Sequence, residues 1–98
     1  MKNMSVEEIL KSGKYHLIDV REPMELEMDG EIESAINIPL GEIQDRKEEI
    51  EQLDGPIIFF CRSGNRSGKA LEFFKSENRS DIYNGGGYAD VQQALENL

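Results

Sequence analysis

The sequence has little of what builds a disulfide-stabilised or metal-binding protein. Its 98 residues include one cysteine, Cys61, one histidine, His16, and no tryptophan. One cysteine cannot form an internal disulfide, and one cysteine with one histidine cannot complete a structural zinc site. We therefore expect no metal and no cofactor.

Long apolar runs and an excess of basic residues are also absent. The longest apolar run, Ile57 to Cys61, is far shorter than the roughly 20 residues of a membrane-spanning helix. The N-terminus has neither an apolar signal core nor a small-residue cleavage site, so a cytoplasmic protein is expected. Twenty acidic and eleven basic residues give a formal charge of −9, which argues against nucleic-acid and anionic membrane partners. The length and the 38% hydrophobic content favour a single domain over residues 1–98.

Strand and helix patterns alternate along the chain. Ser5 and Glu8 have the spacing of a capping box, opening a helix that Gly13 closes. Apolar, β-favouring runs predict strands at 15–20, 35–38, 57–60 and 81–83, and helical periodicity predicts helices at 42–53, 66–77 and 88–98. Residues 24–32 indicate a short helix or turn, residues 84–87 a glycine loop, and residues 1–4 either an edge strand or a frayed start. This alternation indicates an α/β fold, a mostly parallel sheet with helices on both faces.

The carboxyl ends of the predicted strands are expected to form one rim. Ligands of parallel sheets gather at that edge, where Arg21, the loop after Cys61 and the glycine loop would meet. Asp19 and Arg21 suit a structural ion pair there better than a catalytic pair, because nothing else in the sequence requires a carboxylate for acid–base chemistry.

The segment around Cys61 indicates a nucleophile. An apolar strand ends at this cysteine, a polar loop follows, and a helical pattern begins near Arg66. Unpaired backbone N–H groups and the dipole at a helix start stabilise a thiolate. Arg62 and Arg66 add positive charge, and hydrogen-bonding side chains come from Ser63, Asn65 and Ser67. We therefore expect the pKa of the Cys61 thiol to lie below the ordinary value of about 8.5.

Three stretches together resemble the single-domain rhodanese family of sulfurtransferases. They are Leu17-Ile18-Asp19-Val20-Arg21-Glu22-Pro23, Ala35-Ile36-Asn37-Ile38-Pro39-Leu40 and Cys61-Arg62-Ser63-Gly64-Asn65-Arg66-Ser67. The resemblance implies a three-layer α/β/α domain whose mostly parallel five-stranded sheet has the order 3-2-4-5-1. It also implies transfer of sulfane sulfur from thiosulfate or a persulfide or polysulfide donor, through a Cys61 persulfide, to cyanide or a thiol. A protein is a possible acceptor. The residues implied to cradle the persulfide and the donor anion are Arg62, Ser63, Gly64, Asn65, Arg66 and Ser67.

Two departures from the family pattern concern the rim. Glu31 stands where relatives often have histidine, and Val91 stands where they often have tryptophan. Both bear on rim shape and acceptor choice rather than on the reacting sulfur.

Two other functions remain open on the sequence. A phosphatase or arsenate reductase is one, because phosphatase relatives share this fold, although they place five residues between cysteine and arginine and this chain places four. A non-catalytic binding or regulatory module is the other, and the acidic segment 22–54 would suit a basic partner.

Overall fold

A sheet of four parallel strands runs through the computed structural model, which describes residues 4–98. The strands are β1 (His16–Asp19), β2 (Ile36–Asn37), β3 (Ile57–Cys61) and β4 (Ile82–Gly87). The helices are α1 (Val6–Ser12), α2 (Pro23–Asp29), α3 (Lys47–Glu51), α4 (Asn65–Ser76) and α5 (Tyr88–Glu96), with a short 3-10 helix at Leu40–Glu42.

The strand order β2-β1-β3-β4 confirms the α/β fold class. It reproduces the 3-2-4-5 part of the expected order 3-2-4-5-1. The remaining strand would fall on residues 1–4, of which 1–3 lie outside the described residues. Every strand pair between residues 4 and 98 is parallel, as the alternation of strands and helices predicts.

Strand β3 is buried along its whole length and divides the core into two clusters. Ile57, Phe59 and Cys61 point to one face, where they pack with side chains of α3 and α4. Ile58 and Phe60 point to the other face, toward α1 and α5. This alternation follows from the two-residue period of a strand and gives helices on both sides of the sheet. Cys61 therefore lies on the α4 side.

Local sequence signals set both ends of α1. The Ser5 side chain accepts the Glu8 N–H at 3.1 Å, and the Glu8 carboxylate accepts the Ser5 N–H at 2.9 Å. Gly13 ends the helix with φ of 75°, in the left-handed region that glycine adopts most easily. The predicted capping box and the predicted end of this helix are both confirmed.

The helix predicted over 42–53 is wrong as a continuous element. A 3-10 turn at Leu40–Glu42 and a series of turns precede α3, which is only five residues long. Just before this segment, the Leu40 N–H is bound to the Val20 carbonyl at 3.0 Å, which holds the 3-10 turn against the end of β1. Ile43 and Ile50 both reach the core, so the apolar spacing was satisfied without a single helix.

The glycine segment 84–87 is also not the loop that the sequence predicts. It continues β4, and the pairing with β3 shifts register between Phe59 and Phe60, leaving Gly85 as the extra residue of a bulge. Gly86 has φ of 87°, and a Cβ on Gly87 would come within 2.5 Å of the Arg62 carbonyl oxygen. Glycine is thus needed here to bring β4 against the Cys61 loop.

Candidate active site

The junction between β3 and α4 places the Cys61 sulfur beside the backbone of Gly64. Strand β3 ends at Cys61, three residues form the loop, and α4 begins at Asn65. Gly64 adopts φ of 96° as the N-cap residue, and its N–H donates to Cys61 Sγ at 3.0 Å. A side chain at Gly64 would be strained at that φ and would meet Gly86 Cα at 3.2 Å. The strand–loop–helix arrangement predicted from the sequence is therefore present.

The Cys61 thiol is fully buried yet readily ionised. Burial raises its pKa, but hydrogen bonds from the Ser67 hydroxyl and from the backbone amides of Ser67, Ser63 and Gly64 outweigh that effect and lower the pKa to about 7. The direction agrees with the sequence-based expectation. The cause is hydrogen bonding from the loop and the first turn of α4. A substantial fraction of the molecules therefore carries a thiolate at neutral pH.

Arg66 is paired with a carboxylate of the protein itself. Its guanidinium donates to the two oxygens of Glu25, both at 2.8 Å, and the Glu25 Oε2 also accepts the Glu22 N–H at 2.8 Å. The hydrogen bonds from Arg66 are the main reason that the pKa of Glu25 falls to about 2. The sequence predicted that Arg66 binds the persulfide or the donor anion, but in the structure its guanidinium is paired with Glu25 at the start of α2. A contact of Arg66 with substrate stays a prediction.

The remaining predicted loop side chains differ in their exposure to solvent. Arg62, Ser63 and Asn65 are exposed, whereas Ser67 is fully buried with its hydroxyl 3.5 Å from Cys61 Sγ. Arg62 also lines a cavity of about 240 Å³ at the rim. The other residues around this cavity are Arg21, Asp29, Tyr88 and Ala89.

A buried ion pair supports the wall of this cavity. Arg21 is 1% exposed and donates to both carboxylate oxygens of Asp19 and, at 3.0 Å, to the Gly30 carbonyl. Its guanidinium carbon lies 4.4 Å from the centre of the Tyr88 ring, within cation–π distance. Asp19 and Arg21 thus form the structural brace expected from the sequence, at the carboxyl end of β1.

Sequence reasoning missed Glu25 and Asn84 as parts of the site. Asn84 accepts the Ser67 hydroxyl at 2.8 Å and donates to the Gly64 carbonyl at 3.0 Å. Glu25 is one of many acidic residues in its segment, and Asn84 precedes a glycine run that indicated a loop. Neither had a local signal connecting it to Cys61.

Two features are absent from the part of the chain that the structure describes. Between residues 4 and 98, no cluster of three or more His, Cys, Asp or Glu side chains is placed to hold a metal ion. In the same range, no helix is long and apolar enough to cross a membrane.

Comparison with known proteins identifies the family. Residues 3–94 match the sequence profile described as the rhodanese-like domain. The chain belongs to the rhodanese family. This rhodanese is 31% identical over 77 residues to the thiosulfate sulfurtransferase PspE of Escherichia coli, covering 78% of the chain and 73% of PspE. It is 42% identical over 86 residues to YqhL of Bacillus subtilis, described as uncharacterized, covering 86% of the chain and 66% of YqhL.

Solved rhodanese structures agree with the fold and cover most of the chain. A rhodanese-related protein of Thermoplasma volcanium superimposes with a TM-score of 0.66 at 36% identity, covering 89% of this chain and 82% of that one. The human single-domain sulfurtransferase TSTD1 superimposes with a TM-score of 0.69 at 26% identity, covering 87% of each chain. The resemblance read from three short stretches is thereby confirmed, and this rhodanese has relatives that are named sulfurtransferases.

Proposed function

We propose that this rhodanese is a sulfurtransferase or sulfur carrier that works through a persulfide on Cys61. The observation that carries the proposal is the Cys61 sulfur at 3.0 Å from the Gly64 N–H, with a thiol pKa of about 7. A thiolate is the nucleophilic form of cysteine, so a pKa of about 7 makes a substantial fraction of Cys61 reactive at neutral pH.

The proposed first step is attack of the Cys61 thiolate on the outer, sulfane sulfur of thiosulfate. A bond forms between Cys61 Sγ and the sulfane sulfur while the sulfur–sulfur bond of thiosulfate breaks, and sulfite leaves with the electron pair. The enzyme then carries a persulfide anion. Atoms and charge balance without a proton, so the step requires no general base.

The proposed second step returns the thiolate. A thiolate acceptor attacks the terminal sulfur of the persulfide, a new sulfur–sulfur bond forms, and the Cys61 thiolate leaves with the electron pair of the old bond. Cyanide would accept the sulfur in the same way, as thiocyanate. Backbone amides already aimed at the sulfur favour the negative charge in each state, as preorganised donors do in an oxyanion hole.

The names of relatives support donor and acceptor classes. PspE is named a thiosulfate sulfurtransferase, which favours thiosulfate or a similar small anionic donor. Relatives named adenylyltransferase and sulfurtransferase MOCS3, 36% identical over 73 residues in Drosophila persimilis, support sulfur transfer. We propose a protein acceptor as an alternative to a small thiol. Arg62 is the exposed cation at the cavity, and we assign it to attraction of the donor anion.

The loop geometry disfavours phosphoryl chemistry. An oxyanion-binding arginine would need to turn toward the sulfur, but the Arg66 guanidinium is held by both oxygens of Glu25. Four residues separate Cys61 from Arg66, so the loop is also one residue shorter than the loop the phosphatase relatives use.

Intact mass spectrometry after incubation with thiosulfate tests the proposal. The wild type should gain one sulfur atom, lose it again on addition of cyanide, and Cys61→Ser should gain none. Absence of the gain on wild type, or an equal gain on Cys61→Ser, would refute the proposal. Phosphoester hydrolysis faster than sulfur transfer would establish the phosphatase alternative, and an unloaded protein that binds a basic partner would establish the binding module.

A further inference from the structure

Asn84 on β4 is hydrogen bonded to three groups of the Cys61 loop and its surroundings. Its Oδ1 accepts the Ser67 hydroxyl at 2.8 Å and the Gly86 N–H at 2.9 Å, and its Nδ2 donates to the Gly64 carbonyl at 3.0 Å. It does not contact the Cys61 sulfur, and it has no part in the transfer steps described above.

The network permits only one orientation of the Asn84 amide. A backbone N–H can only donate and a carbonyl can only accept, so exchanging Oδ1 and Nδ2 would break the contacts with Gly86 and Gly64 together. The oxygen of Asn84 therefore faces Ser67, and the Ser67 hydroxyl is the donor in their hydrogen bond.

The Ser67 hydroxyl has one hydrogen and two acceptors within reach. Asn84 Oδ1 lies at 2.8 Å and Cys61 Sγ at 3.5 Å. While Cys61 is a thiol, its S–H can donate to the Ser67 oxygen and the hydroxyl can donate to Asn84, so each group is satisfied. Once the sulfur is an anion it can only accept, and a charged acceptor makes the stronger hydrogen bond.

We propose that Asn84 is a positioning residue that makes the Ser67 hydroxyl a two-state donor. The hydroxyl hydrogen is donated to Asn84 Oδ1 when Cys61 Sγ is a neutral thiol and rotates onto Sγ when it becomes a thiolate. The Gly86 N–H keeps Asn84 Oδ1 satisfied after the rotation. Asn84 thus competes with the sulfur for this hydrogen and holds back its ionisation.

The charged side chains around the loop are paired elsewhere or exposed. The Arg66 guanidinium at the start of α4 is bound to Glu25, and the Asp90 carboxylate of α5 accepts the Gly87 N–H at 3.1 Å. Arg62 is exposed in the loop itself, and Arg21 at the end of β1 is paired with Asp19. None of these side chains is hydrogen bonded to Asn84 or Ser67 in residues 4–98.

A double-mutant cycle on the pH dependence of alkylation tests the proposal. The pKa of Cys61 is measured from the rate of reaction with iodoacetamide against pH in wild type, Asn84→Leu, Ser67→Ala and the double variant. Asn97→Leu is the matched control, because Asn97 is exposed at the end of α5, far along the chain from the loop. The inference rests on the proposed function for its place in sulfur transfer, but alkylation tests it without any sulfur donor.

The expected result is a coupling between the two positions. Loss of the Asn84–Gly64 contact raises the pKa equally with or without the hydroxyl, whereas loss of the competing acceptor lowers it only when the hydroxyl is present. The change in the pKa of Cys61 caused by Asn84→Leu should therefore be more negative when Ser67 is present than in the Ser67→Ala background. We expect the difference to be about 0.5 to 1 pKa unit, which corresponds to one neutral hydrogen bond. Asn97→Leu should leave the profile unchanged.

Equal shifts in the two backgrounds would overturn the proposal, since Asn84 would then act without Ser67. A more positive shift in the presence of Ser67 would overturn it as well, because Asn84 would then be helping the hydroxyl reach the sulfur. Asn84→Ala repeats the cycle with a smaller side chain, so that a packing effect of leucine is distinguished from loss of the amide.

Discussion

The ion pair between Glu25 and Arg66 connects α2 to the helix that follows the Cys61 loop. Replacing Glu25 by glutamine measures how much this ion pair contributes to the free energy of unfolding. Glutamine keeps the shape and one acceptor oxygen but removes the charge. The folded protein holds the pKa of Glu25 at about 2, below the ordinary value of 4.5. The full shift corresponds to about 3 kcal/mol, but both side chains retain contact with solvent, so we expect Glu25→Gln to lower the free energy of unfolding at pH 7 by about 1 to 2 kcal/mol.

The pH dependence of this loss distinguishes the ion pair from a general packing defect. Because the folded pKa of Glu25 is depressed, its stabilising contribution is complete above pH 4.5 and disappears as the pH falls toward about 2. The difference in unfolding free energy between wild type and Glu25→Gln should therefore shrink across that interval. Urea unfolding at a series of pH values measures it directly.

The matched control is Glu77→Gln, which removes the more exposed ion pair between Lys47 and Glu77. We expect a smaller loss of stability for this control at pH 7, because salt and water screen an exposed pair. A difference for Glu25→Gln that stays constant from pH 7 to pH 2, or one no larger than that of Glu77→Gln, would refute the account of the Glu25–Arg66 ion pair.

Three further changes test the geometry around the sulfur. The alkylation rate of Cys61 should reach half its maximum near pH 7, and a midpoint at or above the ordinary value of about 8.5 would contradict the hydrogen-bonded cradle. Arg62→Gln should reduce kcat/KM for thiosulfate roughly two- to five-fold, as expected for an exposed charge, while neutral iodoacetamide should react nearly as before; an equal loss with both reagents would point to a disturbed loop. Gly87→Ala places a Cβ within 2.5 Å of the Arg62 carbonyl oxygen and should destabilise the protein by about 1 to 3 kcal/mol in urea unfolding. Gly41→Ala, where the added Cβ meets nothing within 4 Å, should have little effect, and similar losses for the two would refute the close approach.

The features that were predictable from the sequence are those determined by neighbouring residues. The capping box of Ser5 and Glu8 depends on a three-residue spacing, and the buried strand 57–61 depends on an unbroken apolar run. The position of Cys61 at the end of that strand, shortly before a helix, follows from the same local signals. These features were predicted correctly because each depends on residues that are close together in the sequence.

The features that the sequence did not predict depend on contacts between distant segments. Glu25 and Arg66 are 41 residues apart, and Ser67 and Asn84 are 17 residues apart. The glycine segment was assigned to a loop because glycine usually breaks strands, whereas here it lets β4 approach the loop that follows β3. The prediction of a helix at 42–53 is wrong for a related reason. The 3-10 turn at its start is tied to Val20 through the Leu40 N–H, and Ile43 and Ile50 reach the core without a continuous helix.

The complete burial of the Cys61 side chain has a consequence for how the protein ages. With a pKa of about 7, roughly half of the molecules carry a thiolate at neutral pH, and such thiolates are the usual first targets of peroxide. Oxidation to sulfenic acid requires the oxidant to reach the sulfur, as thiosulfate and iodoacetamide must, and the Cys61 side chain has no exposed surface in this structure. A local opening of the loop must therefore precede reaction with any of the three, and the rate of that opening sets an upper limit on oxidation and on sulfur transfer alike.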